Sequence, residues 1–174
     1  KCGKDGSRVV IFPECSVSGY ETEKEWINNF TSEMLRNAEE KIQAVCKEAG
    51  VYAIIGIPWF KGGKVYDAAL VIDPNGEVIE RYGKMYLAGE KWAVPGDHIS
   101  LFKIDGIPAT VIICHDERYP ELTRIPVMMG ARIIFYISSE SSILKEYKIE
   151  PYRCQIVARA VENNVWVVQA NAPA

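Results

Sequence analysis

Short, apolar, β-rich runs recur along this chain, and they restrict the folds open to it more than any other feature. RVVIF (Arg8 to Phe12), VYAIIGI (Val51 to Ile57), TVII (Thr110 to Ile113), RIIFYI (Arg132 to Ile137) and VWVVQA (Val165 to Ala170) have almost nothing polar to turn toward water. Strands of that composition belong in sheets covered on both faces. Between them, Ser32 to Ala49 sets Leu35, Ala38, Ile42, Val45 and Ala49 on one helical face, and Gly50 stops the helix. Glu121 to Met129 and Pro151 to Asn163 read as two more helices. Two hairpins interrupt the alternation. One pairs Val65 to Asp73 with Glu77 to Tyr82 around PNG, the other Ile99 to Ile104 with Ile107 to Cys114 around Asp105-Gly106. Helices alternating with such strands predict an α/β layered fold with a mixed sheet.

Composition removes several classes of function. The 174 residues predict one domain, residues 1–174. A net charge of -3 leaves no basic footprint for nucleic acid. No apolar run approaches the roughly 20 residues of a membrane span. Five cysteines, Cys2, Cys15, Cys46, Cys114 and Cys154, form an odd set without tight spacing, which predicts reduced thiols in a cytoplasm. With two histidines, His98 and His115, and no C-x-x-C pair, neither a metal site nor another cofactor is expected. G-x-S-x-G, G-x-G-x-x-G and Walker A patterns are absent. The loop GKMYLAGEKWAVPGDH (Gly83 to His98) is too long for a mere connection and predicts a functional segment.

Three residues stand at strand ends, where α/β folds place their chemistry. Cys114 closes an apolar strand just before a helix. It reads either as a buried core thiol or as a nucleophile beside backbone N–H groups that lower its pKa and hold an oxyanion. Glu14 follows Phe12-Pro13 and is either an ordinary ion-pair partner or a base for that thiol. Lys84, where the hairpin runs into the long loop, is either a solvated charge or an oxyanion stabiliser. Nucleophile, base and oxyanion stabiliser are together what acyl transfer needs.

FPEC (Phe12 to Cys15), RYGKMYLAGE (Arg81 to Glu90) and CHDERYPEL (Cys114 to Leu122) resemble, in order, the three signature blocks of the nitrilase, or carbon–nitrogen hydrolase, superfamily. RAVENNVWVVQAN (Arg159 to Asn171) is similar to its later helix and strand. The second block reads Lys84-Met85-Tyr86-Leu87 where the family commonly has Lys-x-His-Leu. The resemblance implies an α-β-β-α sandwich that pairs as a homodimer through Glu121 to Met129 and Pro151 to Asn163. It also implies hydrolysis of a small amide through a cysteine thioester. Glu14 would be general base, Lys84 the stabiliser of the tetrahedral intermediate and Cys114 the nucleophile. The backbone N–H of His115 would meet the oxyanion, and Glu90 would position the substrate amide or Lys84. Asp116 and Arg118 are expected to tie the turn behind the thiol.

True nitrilases resemble one another in a Trp directly after the cysteine, where this chain has His115. Amide or N-carbamoyl hydrolysis is therefore ranked first and nitrile hydrolysis second. A non-catalytic dimeric binding module and a redox-sensing thiol are the readings from other classes. Arg132 to Ile137 runs into SSESS (Ser138 to Ser142), so Ser139 and Glu140 are expected at the same pocket. There an unpaired Glu140 carboxylate would favour a substrate with a donor or positive charge, against the alternative of a solvated loop. Because family members have further elements on both sides of these blocks, the chain is expected to be a piece of a longer domain.

Overall fold

A computed structural model describes residues 2–140 and 149–172. Among the described residues, eight strands form two four-stranded sheets. The first holds β1 (Val9–Ile11), β2 (Tyr52–Lys61), β3 (Lys64–Ile72) and β4 (Val78–Gly83) in that order, with β1 parallel to β2 and the rest antiparallel. The second holds β5 (Phe102–Ile104), β6 (Ile107–Ile113), β7 (Ile133–Ser138) and β8 (Trp166–Asn171), antiparallel only at β5–β6. The sheets pack face to face. Ile54, Val71 and Tyr82 of the first meet Phe102, Val111, Ile113, Phe135 and Ile137 of the second in one buried cluster.

Helices cover the outer faces. In α1 (Ser32–Ala49) the Thr31 hydroxyl accepts the Met34 N–H at 3.1 Å, and Gly50 ends the helix at φ 64°. Its Leu35, Ile42 and Cys46 pack on Ala53, Ile55, Ile57, Leu70 and Ile72. Across the molecule Leu122 and Val127 of α2 (Glu121–Met128) and Ile156 of α3 (Ile149–Asn163) pack with Ile112, Ile134 and Tyr136. The layering is helix, sheet, sheet, helices, the α-β-β-α sandwich expected from the signature blocks.

Three details depart from the expectations. Strand β2 runs on through Pro58 to Lys61 and turns into β3 at Gly62-Gly63, whose φ of 58° and 74° suit a tight primed hairpin. That hairpin escaped the sequence reading because Pro58 looks like a strand stop. Arg8 to Phe12 yields only three strand residues, half-buried at a sheet edge. Val165 to Ala170 forms a strand, but it pairs only with β7 and leaves Trp166 78% exposed. Neither edge run is buried on both faces among the described residues.

Gly56 shows how tightly the fold holds its first strand end. A Cβ there would lie 2.3 Å from the Cys15 amide nitrogen and 2.5 Å from the Pro13 carbonyl oxygen, both fixed backbone. Gly56→Ala must push the Pro13–Cys15 segment off the sheet. The expected loss is about 2–4 kcal/mol of unfolding free energy, read from denaturant titration. A variant as stable as the parent protein would show that this approach is not required.

Candidate active site

Glu14 is delivered by the segment leaving β1. The Phe12 N–H is still held by the Ile54 carbonyl at 2.8 Å, and the chain then turns, with Cys15 at φ 49°. Lys84 follows β4 directly. Its N–H donates to the Asp67 carbonyl and its own carbonyl accepts from Gly96, each at 2.8 Å. Gly96 must be a glycine, because a Cβ there would come within 2.1 Å of the Gly83 carbonyl oxygen. The Pro95-Gly96 step of the long loop is thereby clamped onto the strand that presents the lysine.

The Lys84 side chain is wholly buried, and carboxylates surround its ammonium. Glu14 Oε1 lies 2.5 Å from Nζ, Glu90 Oε1 2.6 Å and Asp67 Oδ2 3.4 Å. Glu90 is anchored in turn: its Oε2 accepts the N–H groups of Ala88 and Gly89, and its Oε1 the Tyr20 hydroxyl at 2.7 Å. The structure thus brings Glu14, Lys84 and Glu90 into contact. Oxygens of Glu14, Asp67 and Glu90 lie within 4.8 Å of one another, a spacing that could hold a metal ion. Here the Lys84 ammonium touches all three, so the positive charge such a group calls for is already present.

Cys114 sits just past β6, half-buried, at φ 44°. A non-glycine residue in that region is strained, and the strain turns the chain sharply out of the strand. Asp116 holds the turn. Its Oδ2 accepts the Ile113 N–H at 3.1 Å and the Tyr82 hydroxyl at 2.8 Å, and its Oδ1 the Tyr86 N–H at 2.9 Å. Arg118 does not share that task. It is exposed, and it hydrogen-bonds the Tyr152 hydroxyl on α3 instead. His115 is half-buried with its ring edge-on to Tyr119.

The end of β7 reaches the same place. The Ser139 N–H donates to Glu14 Oε2 at 2.8 Å and also favours the Cys114 thiolate. Glu140 adds its charge to the field at Cys114. The expectation of an unpaired Glu140 carboxylate does not hold, because Tyr136 donates its hydroxyl to Glu140 Oε1 at 2.8 Å. Ser141 and Ser142 of the same run lie outside the described residues.

Electrostatics follow from burial. Desolvation pushes Glu14 well above the usual carboxylate range, the charge of Asp67 adds to the rise, and Lys84 opposes both. Burial, then Glu14, raises the Cys114 thiol, against Lys84. Burial alone would pull Lys84 down, but Asp67, Glu14, Cys114 and Glu90 outweigh it and keep the ammonium charged. For Glu90 burial works upward, and contact with Lys84 more than reverses it. A thiol, a carboxylate raised by burial and a fixed ammonium are the kinds of group that acyl transfer uses.

Two features were missed in the sequence. Asp67 is fully buried, and its only advertisement was a charged residue inside the apolar hairpin strand VYDAALVI. Glu117, also fully buried, has no hydrogen-bond partner for either oxygen among the described residues.

Comparison with known proteins places the chain in a wider group. The family described as Carbon-nitrogen hydrolase matches residues 2–172. Formamidases from Bacillus thuringiensis (strain Al Hakam) and Bacillus cereus (strain AH820) are each 33% identical over 153 residues, covering 84% of this chain and 46% of theirs. The chain therefore spans about half the length of those formamidases. An amidase from Nesterenkonia sp. superposes with a TM-score of 0.86 at 23% identity, over 98% of this chain and 65% of that one. A mutant of the Nesterenkonia sp. AN1 amidase in complex with butyramide gives 0.87 at 20% identity, with the same coverage of both chains.

Burial and the Glu140 charge lift the Glu117 carboxyl from 4.5 to about 7. A raised carboxyl favours the folded state only while protonated, so its contribution is present below pH 4.5 and lost as pH climbs through about 7. Glu117→Gln removes that loss. Thermal unfolding should show the variant more stable by about 1–3 kcal/mol above pH 7 and nearly equal to the parent at acid pH. Equal destabilisation at every pH would refute this reading of the site.

Proposed function

This chain belongs to the carbon-nitrogen hydrolase family, and on that premise we propose that it hydrolyses the C–N bond of a small amide or N-carbamoyl substrate through a thioester on Cys114. The observation that carries the proposal is the buried contact of Lys84 with both Glu14 and Glu90, set where β6 delivers a strained cysteine. Glu14 takes the thiol proton, and the thiolate attacks the carbonyl carbon. Negative charge on the substrate oxygen is met by Lys84 and the His115 N–H. Glu14 returns its proton to the leaving nitrogen, and ammonia or an amine departs. The same carboxylate then activates the water that cleaves the thioester and frees Cys114. Formamidase relatives at 33% identity support an amide as substrate. In another mutant of the Nesterenkonia amidase the acetamide moiety of fluoroacetamide is covalently added at the active-site cysteine.

Ser139 and Glu140 line the acyl side of the pocket in this proposal, and the Glu140 charge favours substrates that carry a donor or a cation. Five free cysteines suit a reducing cytoplasm, and no described helix is long and apolar enough to cross a membrane. A homodimer through α2 and α3 fits the apolar side chains those helices expose, with Met128 80% and Val161 75% accessible.

The protein is incubated with a panel of neutral, anionic and cationic amides and examined by intact-mass and peptide-mapping spectrometry. An acyl adduct on Cys114 is expected, with turnover lost in Cys114→Ala and lowered about 10²–10⁴-fold in Glu14→Gln. An adduct on Cys15, or turnover that survives Cys114→Ala, overturns the mechanism. On the same panel Glu140→Gln should slow cationic amides most, and an equal effect on all three classes removes Glu140 from substrate choice. Light scattering at micromolar concentration should give twice the mass of the chain; a monomer refutes the dimer.

A further inference from the structure

Lys84 and Glu14 stand in a conflict that two residues alone would not resolve. An ammonium that is to meet an oxyanion lies 2.5 Å from the carboxylate that is to accept a proton. Such contact weakens the carboxylate as a base. Glu90, at 2.6 Å, already gives the one ammonium a second negative partner. Pairing Lys84 therefore requires no third carboxylate, and a third must be stripped of water without a cation of its own. Yet Asp67 is wholly buried beside them, its Oδ2 at 3.4 Å from Nζ and without a hydrogen-bond donor among the described residues.

The placement of Asp67 is fixed. Its carbonyl accepts the Lys84 N–H at 2.8 Å, and the register of β3 with β4 sets Ala68 opposite Gly83. The Cys15 thiol lies 3.5 Å from Oδ1 and donates to it, so the other oxygen is left toward the ammonium. We infer that Asp67 is a positioning residue for the reaction proposed above: its charge behind Lys84 keeps Glu14 basic enough to take the Cys114 proton while Glu14 touches the ammonium. The inference rests on the roles given to Glu14 and Cys114. The thiol proton passes to Glu14 and then to the leaving nitrogen.

Among the described residues, the titratable groups around Glu14 are Cys15 beside it, Asp67 from β3, Lys84 after β4, Tyr20 and Glu90 from the loops and Cys114 after β6; Glu140, past β7, acts on Cys114. Among the charges acting on Glu14, Asp67 ranks ahead of Lys84 and opposes it. The largest charges acting on the thiol are those of Glu14, Lys84 and Glu140. Asp67 should therefore reach the thiol through Glu14. A residue that only balances the buried lysine would not.

A double-mutant cycle separates the two roles without any need for turnover. The rate at which iodoacetamide alkylates Cys114 is followed against pH by peptide mass spectrometry in the parent protein, Asp67→Asn, Glu14→Gln and the double variant. Asp67→Asn should move the profile about one pH unit upward in the parent background and leave it unmoved in the Glu14→Gln background. No shift in either background, or the same shift in both, overturns the inference while the proposed reaction stands. A profile that Glu14→Gln itself does not move sinks the base assignment and the inference with it. Should Asp67→Asn fail to fold, Asp67→Ser takes its place in the same cycle, and the same outcomes decide.

Discussion

A single buried ammonium organises this molecule. Lys84 has no exposure, and removing such a charge from water costs several kcal/mol even after relaxation. Its carboxylate partners recover that cost, and they come from separated parts of the chain: Glu14 after β1, Asp67 in β3 and Glu90 in the long loop. The loop is ordered by the same contact. Glu90 reaches the ammonium with one oxygen and gathers the Ala88 and Gly89 amides with the other, so the chain wraps around its carboxylate. Gly96 then seals the loop against Gly83 at a distance no side chain permits.

Lysine and carboxylates belong to the first sheet, whereas the thiol belongs to the second. The distance between them is set by the core that joins the sheets, not by a local turn. Tyr82 makes the coupling explicit: its ring lies in the inter-sheet cluster, and its hydroxyl donates to Asp116 behind Cys114. Ser139, at the end of β7, adds the reverse connection by donating its N–H to Glu14. Substitutions in the sandwich core therefore act on the geometry of the site even where they touch none of its residues.

How much of this was legible depends on how local the signal is. Layering could be read because strand composition and helix periodicity are local, and the four-layer sandwich followed once the blocks were recognised in order. Glu14, Lys84 and Glu90 were legible through those blocks, and the structure brings them into contact. Asp67 was not, because a hairpin register sets it beside Lys84, and one-dimensional text does not display register. Glu140 was placed correctly at a strand end, but its bond with Tyr136 was invisible: the two lie four residues apart across a strand terminus. Pro58 concealed a hairpin, since the same residue that stops many strands sits here within a continuous one.

Several disagreements between local preference and structure fall at the end of the sandwich that holds Lys84, although Asp105 and Asn164 also take left-handed backbone elsewhere. Cys15 and Cys114 both take left-handed backbone that side chains disfavour. Asp116, lifted to about 6 by burial against three donated hydrogen bonds, remains to hold the turn. Glu117 is buried with neither oxygen hydrogen-bonded among the described residues, and three carboxylates crowd one ammonium. None of these would be chosen by a chain shaped only for stability, and together they cost several kcal/mol. The well-packed inter-sheet core carries that cost, which is why strain can persist at one end of an otherwise consistent fold. Strain and crowded charge concentrated near a thiol, a carboxylate and an ammonium are features that functional sites often carry and that a buried ion pair made only for stability would not need.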